Sequence, residues 1–344
     1  CTEILTEMLE LDGYEVREAS LESKTSSVSI LSFGAITKNW SLSVDGSIIP
    51  ILLGFKSLEA YQEDRNFMGI IAGRVANRVR NGTFKLNNIV YQLPVNAPPN
   101  HLHGGNFGFG KQNWSLETDS KNCAVKMARV SPHLEEGYPG LVHITVIISL
   151  SGNTLSYEMT AIPDRPTPIS LAQHNYYNLM GSGNVWEHKI ESKATAYTPV
   201  DRDLIPTGII ADLNTYRLKN GESQWNLNTK KAFNQLDGER IGIDINLVLP
   251  STDNIYSPIA KVTAENGVAL EVYSNQPGLQ FYTGKNLSSA HVGHSGHNYG
   301  PYEGFCLEPQ RFPSSLTIPS FPSIIVCPEE PYKQVTIVKL STPN

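Results

Sequence analysis

The sequence predicts an all-β protein, most simply a large antiparallel β-sandwich. Three observations carry this. Short runs of alternating apolar and polar residues recur along the chain, turn dipeptides such as Asp45-Gly46 separate them, and helical periodicity is scarce. Period-two alternation gives each strand one core face and one outer face, and such sheets bury their apolar faces against each other.

The elements follow in order. TSSVSILSFGAITKNW (25–40) reads as a strand, and WSLSVDGSIIPILLGF (40–55) places Asp45-Gly46 between two strand-like arms. SLEAYQEDRNFMG (57–69) is the best short-helix candidate, with Ser57 as N-cap. GTFKLNNIVYQL (82–93) turns at Asn87-Asn88. GLVHITVIISLSGNTLSYEMTAI (140–162) alternates through Val142, Ile144 and Val146, turns at Gly152-Asn153, and alternates again through Leu155, Tyr157 and Met159. AKVTAENGVALEVYSN (260–275) turns at Asn266-Gly267. Asn-Gly and Asp-Gly favour hairpins because type I′ turns need positive φ at both central residues. No internal repeat or low-complexity linker interrupts the pattern, so residues 1–344 are expected to form one domain.

Composition narrows the function. Hydrophobic residues at 40% and charged residues at 17% fit a globular chain. The net charge of -6, with no lysine or arginine run, argues against a nucleic-acid partner. Apolar stretches such as IIPILLGF are far shorter than the roughly 18 residues of a membrane span, so no membrane partner is expected. The opening CTEILTEMLELDGYEV is polar and acidic, unlike a signal peptide. The four cysteines form neither a CxxC pair nor a disulfide framework, and free thiols in the cytoplasm are expected.

Five stretches are too polar or too glycine-rich for plain strands: AGRVANRVRNG (72–82), NHLHGGNFGFG (100–110), QHNYYNL (173–179), QPGLQFYTG (276–284) and GFCLEPQRFPSS (304–315). Glu308 leaves an apolar strand and precedes a proline, which suits a carboxylate facing a cavity; a surface glutamate is the alternative. The glycines of NHLHGG let backbone approach a ligand beside His103; a solvated turn histidine is the alternative. His174 reads as an acid or as a buried, hydrogen-bonded histidine. Asn77 and Arg78 offer hydrogen-bonding groups, or a solvated edge. Asp244, inside an apolar run, demands a partner. HVGHSGH (291–297) has histidines at a metal-like spacing, but no acid or cysteine lies nearby in sequence, and no metal is expected. P-loop, GxSxG, HExxH and dinucleotide motifs are missing. The remaining set of His, Glu, Asp, Arg, Asn and Gln among aromatics suits a neutral, hydroxyl-rich ligand, and a His with a Glu suits proton transfer without a cofactor.

These strings, in this order, resemble the aldose 1-epimerase (galactose mutarotase) family. The resemblance runs through LGFKSLEAYQEDRNFMGIIAGRVANRVRNGTF (53–84), NHLHGG, QHNYYNL, YTPVDRDLIPTG (197–208), QPGLQFYTG and FCLEPQRFPSS. It implies a large antiparallel β-sandwich that interconverts the α and β anomers of free hexoses such as galactose and glucose. Glu308 would then be the general base, His174 the general acid and His103 a second active-site histidine. Asn77, Arg78, His103, Tyr176, Asp244 and Gln280 would hold the sugar. Ile245 stands where the family usually has a histidine after the aspartate. The acid role calls for a charged His174 near neutral pH. Two alternatives remain at this stage: a hexose-6-phosphate 1-epimerase, for which Arg74, Arg78 and Arg80 are the cationic candidates, and a sugar-binding module without chemistry. The expected assembly is a monomer or weak homodimer.

Overall fold

The computed structural model describes residues 3–215, 230–237, 240–250 and 255–343. A nine-stranded sheet runs in the order Ser115–Asp119, Ala124–Ser131, Val142–Ser151, Thr154–Pro163, Tyr332–Ser341, Ala269–Ser274, Ala260–Thr263, Lys189–Ser192, Lys231–Ala232. A six-stranded sheet runs Tyr176–Tyr177, Phe305–Gln310, Gly278–Tyr282, Asp244–Val248, Ala196–Thr198, Ala211–Asp212. A five-stranded meander follows sequence order from Glu3–Leu11 to Ser47–Pro50. The pairings within these sheets are antiparallel.

Alternation builds the core. In Val142–Ser151, residues Val142, Ile144, Val146, Ile148 and Leu150 are buried while their neighbours lean outward. Val146 faces Met159 across one ladder and Leu155 faces Val338 across the next. One apolar cluster joins Val28, Ile30 and Trp40 of the meander, Val146, Met159 and Val338 of the large sheet, and Leu247, Phe281 and Leu307 of the six-stranded sheet. The sheets therefore share a single packed interior, the β-sandwich that the alternation predicts.

All four predicted hairpins form. Their turns differ, however. Both central residues have positive φ at Asp45-Gly46 and Asn87-Asn88, but only the glycine does at Gly152-Asn153 and Asn266-Gly267. A single left-handed glycine is sufficient there, so type I′ geometry is not required. The segment 25–40 contains two paired strands, Ser26–Leu31 and Ile36–Val44, with Ala35 left-handed between them. The helix predicted over 57–69 spans only Leu58–Glu63. Ser57 caps it through Ala60 N–H at 3.3 Å. It stops because the Lys111 ammonium takes the carbonyls of Tyr61, Gln62 and Asp64 at 3.0, 2.8 and 2.8 Å. The expectation of four free thiols fails at Cys123, which is disulfide-bonded; Cys306 and Cys327 are free. Among the described residues no helix is long and apolar enough to cross a membrane.

The His103 loop depends on close backbone approach. Gly104 has φ +90°, and a Cβ there would meet Gly73 O at 1.8 Å. We expect Gly104→Ala to cost at least ~2 kcal/mol, read as a lower urea midpoint. Gly152→Ala, at φ +57° with nothing within 4 Å of the added carbon, should cost about 1 kcal/mol.

Candidate active site

Three adjacent strands bring the carboxylates and amides to one face. In Phe305–Gln310, Phe305 and Leu307 pack into the core while Cys306, Glu308 and Gln310 point the other way. The neighbouring strands obey the same rule: Leu279 and Phe281, then Ile245 and Leu247, enter the core. Register sets Gln280 opposite Glu308, Tyr282 opposite Cys306, and Asp244 opposite Tyr282. Ile245 therefore sits on the face away from Asp244 and packs inward.

The histidines arrive on irregular backbone. His174 follows Ala172–Gln173, and its own N–H and C=O bond Ile70 O and Gly69 N–H, both at 2.9 Å. His103 follows His101–Leu102, whose partner strand is Arg78–Val79. Asn77 and His103 are both left-handed, at φ 62° and 49°. They lock together: His103 N–H donates to Asn77 O at 3.0 Å, and Asn77 N–H donates to His103 Nδ1 at 3.2 Å. With Nδ1 accepting, the neutral ring carries its proton on Nε2.

All eight residues singled out in the sequence line one cavity of about 170 Å³: Asn77, Arg78, His103, His174, Tyr176, Asp244, Gln280 and Glu308. His174 Nε2 lies 3.8 Å from Glu308 Oε1. The His103 and His174 rings stand 5.0 Å apart at 82°. Asp244 finds the partner it demanded, since Gln280 Nε2 donates to its Oδ1 at 2.6 Å. Glu308 Oε2 and Gln280 Oε1 are buried with no hydrogen-bond partner. Among the described residues, His174, Cys306 and Glu308 offer donor atoms within 4.8 Å of one another, a set that could hold a metal ion. The HVGHSGH histidines go elsewhere: His291 to Glu63, His294 to Lys38 O, and His297 to Glu303.

The same cavity is lined by Arg65, Asn66, Phe67, Leu102, Tyr282 and Asn286, none of which the sequence reading assigned to it. The available signal was Asp64, an Asx-type turn residue directly after a helix. Its carboxylate accepts from Asn66 N–H at 3.0 Å and Met68 N–H at 2.8 Å, which turns residues 65–67 toward the cavity.

Electrostatics corrects one expectation. Burial pulls His174 down to about 4, so it is neutral near pH 7. Glu308 moves the other way: burial pushes it well above the usual carboxylate range, the Asp244 charge adds to this, and Arg78 opposes it. Burial also raises Asp244, against Arg78 and the Gln280 bond. His103 is held well below its ordinary value by burial and by its neighbours His174, Arg78 and His101. Desolvation disfavours both charged forms, and that overrides the attraction between Glu308 and His174.

A carboxyl group and an imidazole 3.8 Å apart, facing one polar cavity on a β-sandwich, suit an enzyme that moves protons on a polar ligand. A family model described as Aldose 1-epimerase matches residues 17–339. A galactose mutarotase from Rattus norvegicus is 37% identical over 333 residues, 96% of this chain and 95% of that protein. A galactose 1-epimerase structure from Lactobacillus acidophilus superposes with a TM-score of 0.83 at 26% identity, covering 99% of each chain. An aldose epimerase homologue from C. elegans reaches a TM-score of 0.87 at 24% identity, covering 99% of this chain and 100% of that one. The chain belongs to the aldose 1-epimerase family.

The buried histidines make stability pH-dependent. His101, His174 and His188 are each lowered by burial from 6.5 to about 4. Between those values the unfolded chain binds more protons than the folded one. Their stabilisation, roughly 3 kcal/mol each, is therefore complete above pH 6.5 and is lost as pH falls toward 4. Glu308 and Asp244, raised by burial, act in the opposite sense, since their contribution is present at low pH and lost as pH rises, so thermal unfolding midpoints should fall from pH 6.5 to 4 by less than the histidines alone would give.

Proposed function

We propose that this chain interconverts the α and β anomers of free aldohexoses such as galactose and glucose, with Glu308 as base and His174 as acid. The observation that carries the reading is the 3.8 Å approach of His174 to Glu308 at the wall of the cavity. Ring opening needs the Glu308 carboxylate to take the C1 hydroxyl proton and the His174 imidazolium to give one to the ring oxygen. The aldehyde then rotates about C1–C2. Closure uses the products of opening: neutral His174 takes the proton back from O5 and protonated Glu308 returns one to O1.

The pair holds a single proton in both forms. Burial favours the closure form, with protonated Glu308 and neutral His174. Hydrogen bonds from sugar hydroxyls to the carboxylate would favour the opening form. Neither step calls on a cofactor. His103 contributes an Nε2–H donor, and Asn77, Arg78, Tyr176, Asp244 and Gln280 hold hydroxyls. Residues 1–344 act as one domain in this reading, supported by the core cluster common to the three larger sheets. A monomer or weak homodimer in the cytoplasm, with no nucleic-acid or membrane partner, completes the proposal. The disulfide at Cys123 weighs against a reducing compartment, and a thiol count on protein from intact cells would decide it.

One observation favours a second reading, a hexose 6-phosphate substrate: Arg65 and Arg78 both line the cavity. Against it, Arg74 is buried and spent on Ser131, Pro132, Pro139 and Thr167, and Arg80 pairs with Asp201.

Polarimetry of fresh α-D-glucose, α-D-galactose and glucose 6-phosphate tests all of this. Free sugars should equilibrate faster with protein than with buffer. Each proton-transfer group contributes about 10²- to 10⁴-fold, so Glu308→Gln should fold, bind sugar and leave the rate at the buffer level. Near-wild-type turnover in that variant would refute the base assignment. An accelerated rate only for the phosphate ester would replace the substrate. Sugar binding without acceleration by the wild type would leave a lectin-like module. The acid limb of kcat/KM should lie near the His174 value of about 4.

A further inference from the structure

Phe67 was given no role in the chemistry, yet it is held in an unusual backbone conformation at the cavity wall. Its φ is +60°, a region bulky side chains rarely enter and one that costs of order 1–3 kcal/mol. The flanking residues are fastened on every side. Asp64 holds Asn66 and Met68, Lys111 caps the preceding helix, and Tyr176 Oη donates to Asn66 O at 3.0 Å. Just beyond, Gly69 and Ile70 pair with the backbone of His174. The Phe67 loop and the His174 segment are thus one hydrogen-bonded unit. The Phe67 ring lies 4.6 Å from the His103 ring and 6.0 Å from the His174 ring. It lines the sugar cavity on one side and a smaller apolar pocket, shared with His103, Met68 and Ile70, on the other.

We propose that Phe67 is a positioning residue for the mutarotase reaction: its ring wedges against both imidazoles, fixes their mutual angle and keeps water off their outer faces. The left-handed backbone persists because the bonds of Asp64 to Asn66 and Met68, and of Tyr176 to Asn66, hold both sides of it. The inference rests on the reading in which His174 handles the proton. His174 is also faced by Glu308, Cys306 at 3.8 Å, Tyr176 and His103, while Arg65, Arg78, Asp244 and Tyr282 stand elsewhere around the cavity. All of these groups remain in the chain when Phe67 is replaced, so the variant removes the ring and no charge.

The test is Phe67→Gly, which removes the ring and also relieves the left-handed backbone. The unfolding midpoint should hold or rise. The His174 imidazole, followed by NMR, should titrate well above its value of about 4 and move toward 6.5 as water enters. The acid limb of kcat/KM should move with it, and kcat should fall about tenfold or more. Phe67→Leu, which keeps an apolar wedge, should fall between. An unchanged His174 titration in Phe67→Gly overturns the proposal, as does a midpoint lowered by several degrees with titration and kcat intact. The titration needs no turnover, so a shifted His174 alongside an active Glu308→Gln would sink the catalytic assignment and leave the positioning role standing.

Discussion

The register of three neighbouring strands, Asp244–Val248, Gly278–Tyr282 and Phe305–Gln310, is the constraint on which the site depends. Opposed pairs set Gln280 against Glu308 and Asn246 against Gln280. The core face of the same strands is filled by Leu247, Phe281 and Leu307. A slip of one residue would send Glu308 into that core and present Leu307 to the cavity. Packing on one face thus dictates chemistry on the other. Phe305–Gln310 is buried along its whole length, so the carboxylate is delivered to a desolvated position by the act of forming the sheet. Its raised pKa follows from the fold.

The histidines are positioned by the opposite means. They ride on backbone that no regular ladder produces, with Asn77, His103 and Phe67 left-handed within one neighbourhood. Such conformations survive where surrounding contacts over-determine them. Here those contacts are the crossed Asn77–His103 bonds, the Asp64 carboxylate and the Lys111 ammonium. A rigid sheet supplies Glu308, Asp244 and Gln280, and stapled loops supply the imidazoles.

Much of this was legible in the sequence. Alternation located the strands because one face of each is buried, and turn dipeptides located the hairpins. Glycines marked turns and close approaches, but the Pro after Glu308 did not mark a strand end: Phe305–Gln310 runs through Pro309, which pairs with Leu279, so Glu308 faces the cavity from within the strand. Family resemblance gathered the eight cavity residues; no pattern of spacing would have done so, since they come from distant parts of the chain. What stayed hidden depends on three-dimensional surroundings. The neutral state of His174 follows from burial on all sides, and no string reports that. Phe67 fell inside the helix expected over 57–69, because a left-handed φ leaves no mark in composition. The early stop of the helix at Glu63 is caused by Lys111, far along the chain.

Ile245 illustrates how the fold resolves what a motif leaves open. Read as a string, an isoleucine beside Asp244 looks like a change in the site. On a strand, consecutive residues point to opposite faces. Ile245 is therefore a core residue, packed with Leu247 and Phe281, and Asp244 keeps its 2.6 Å bond to Gln280 regardless. That bond leaves the other end of the amide, Gln280 Oε1, buried in the wall of the cavity that Glu308 also lines, and neither Gln280 Oε1 nor Glu308 Oε2 takes a hydrogen bond from another protein group. A hydroxyl-rich ring carries O–H donors of the kind that carboxylate and amide oxygens accept. The register that fills the core thus also fixes the polar atoms of the cavity, and a sugar would meet them already in place.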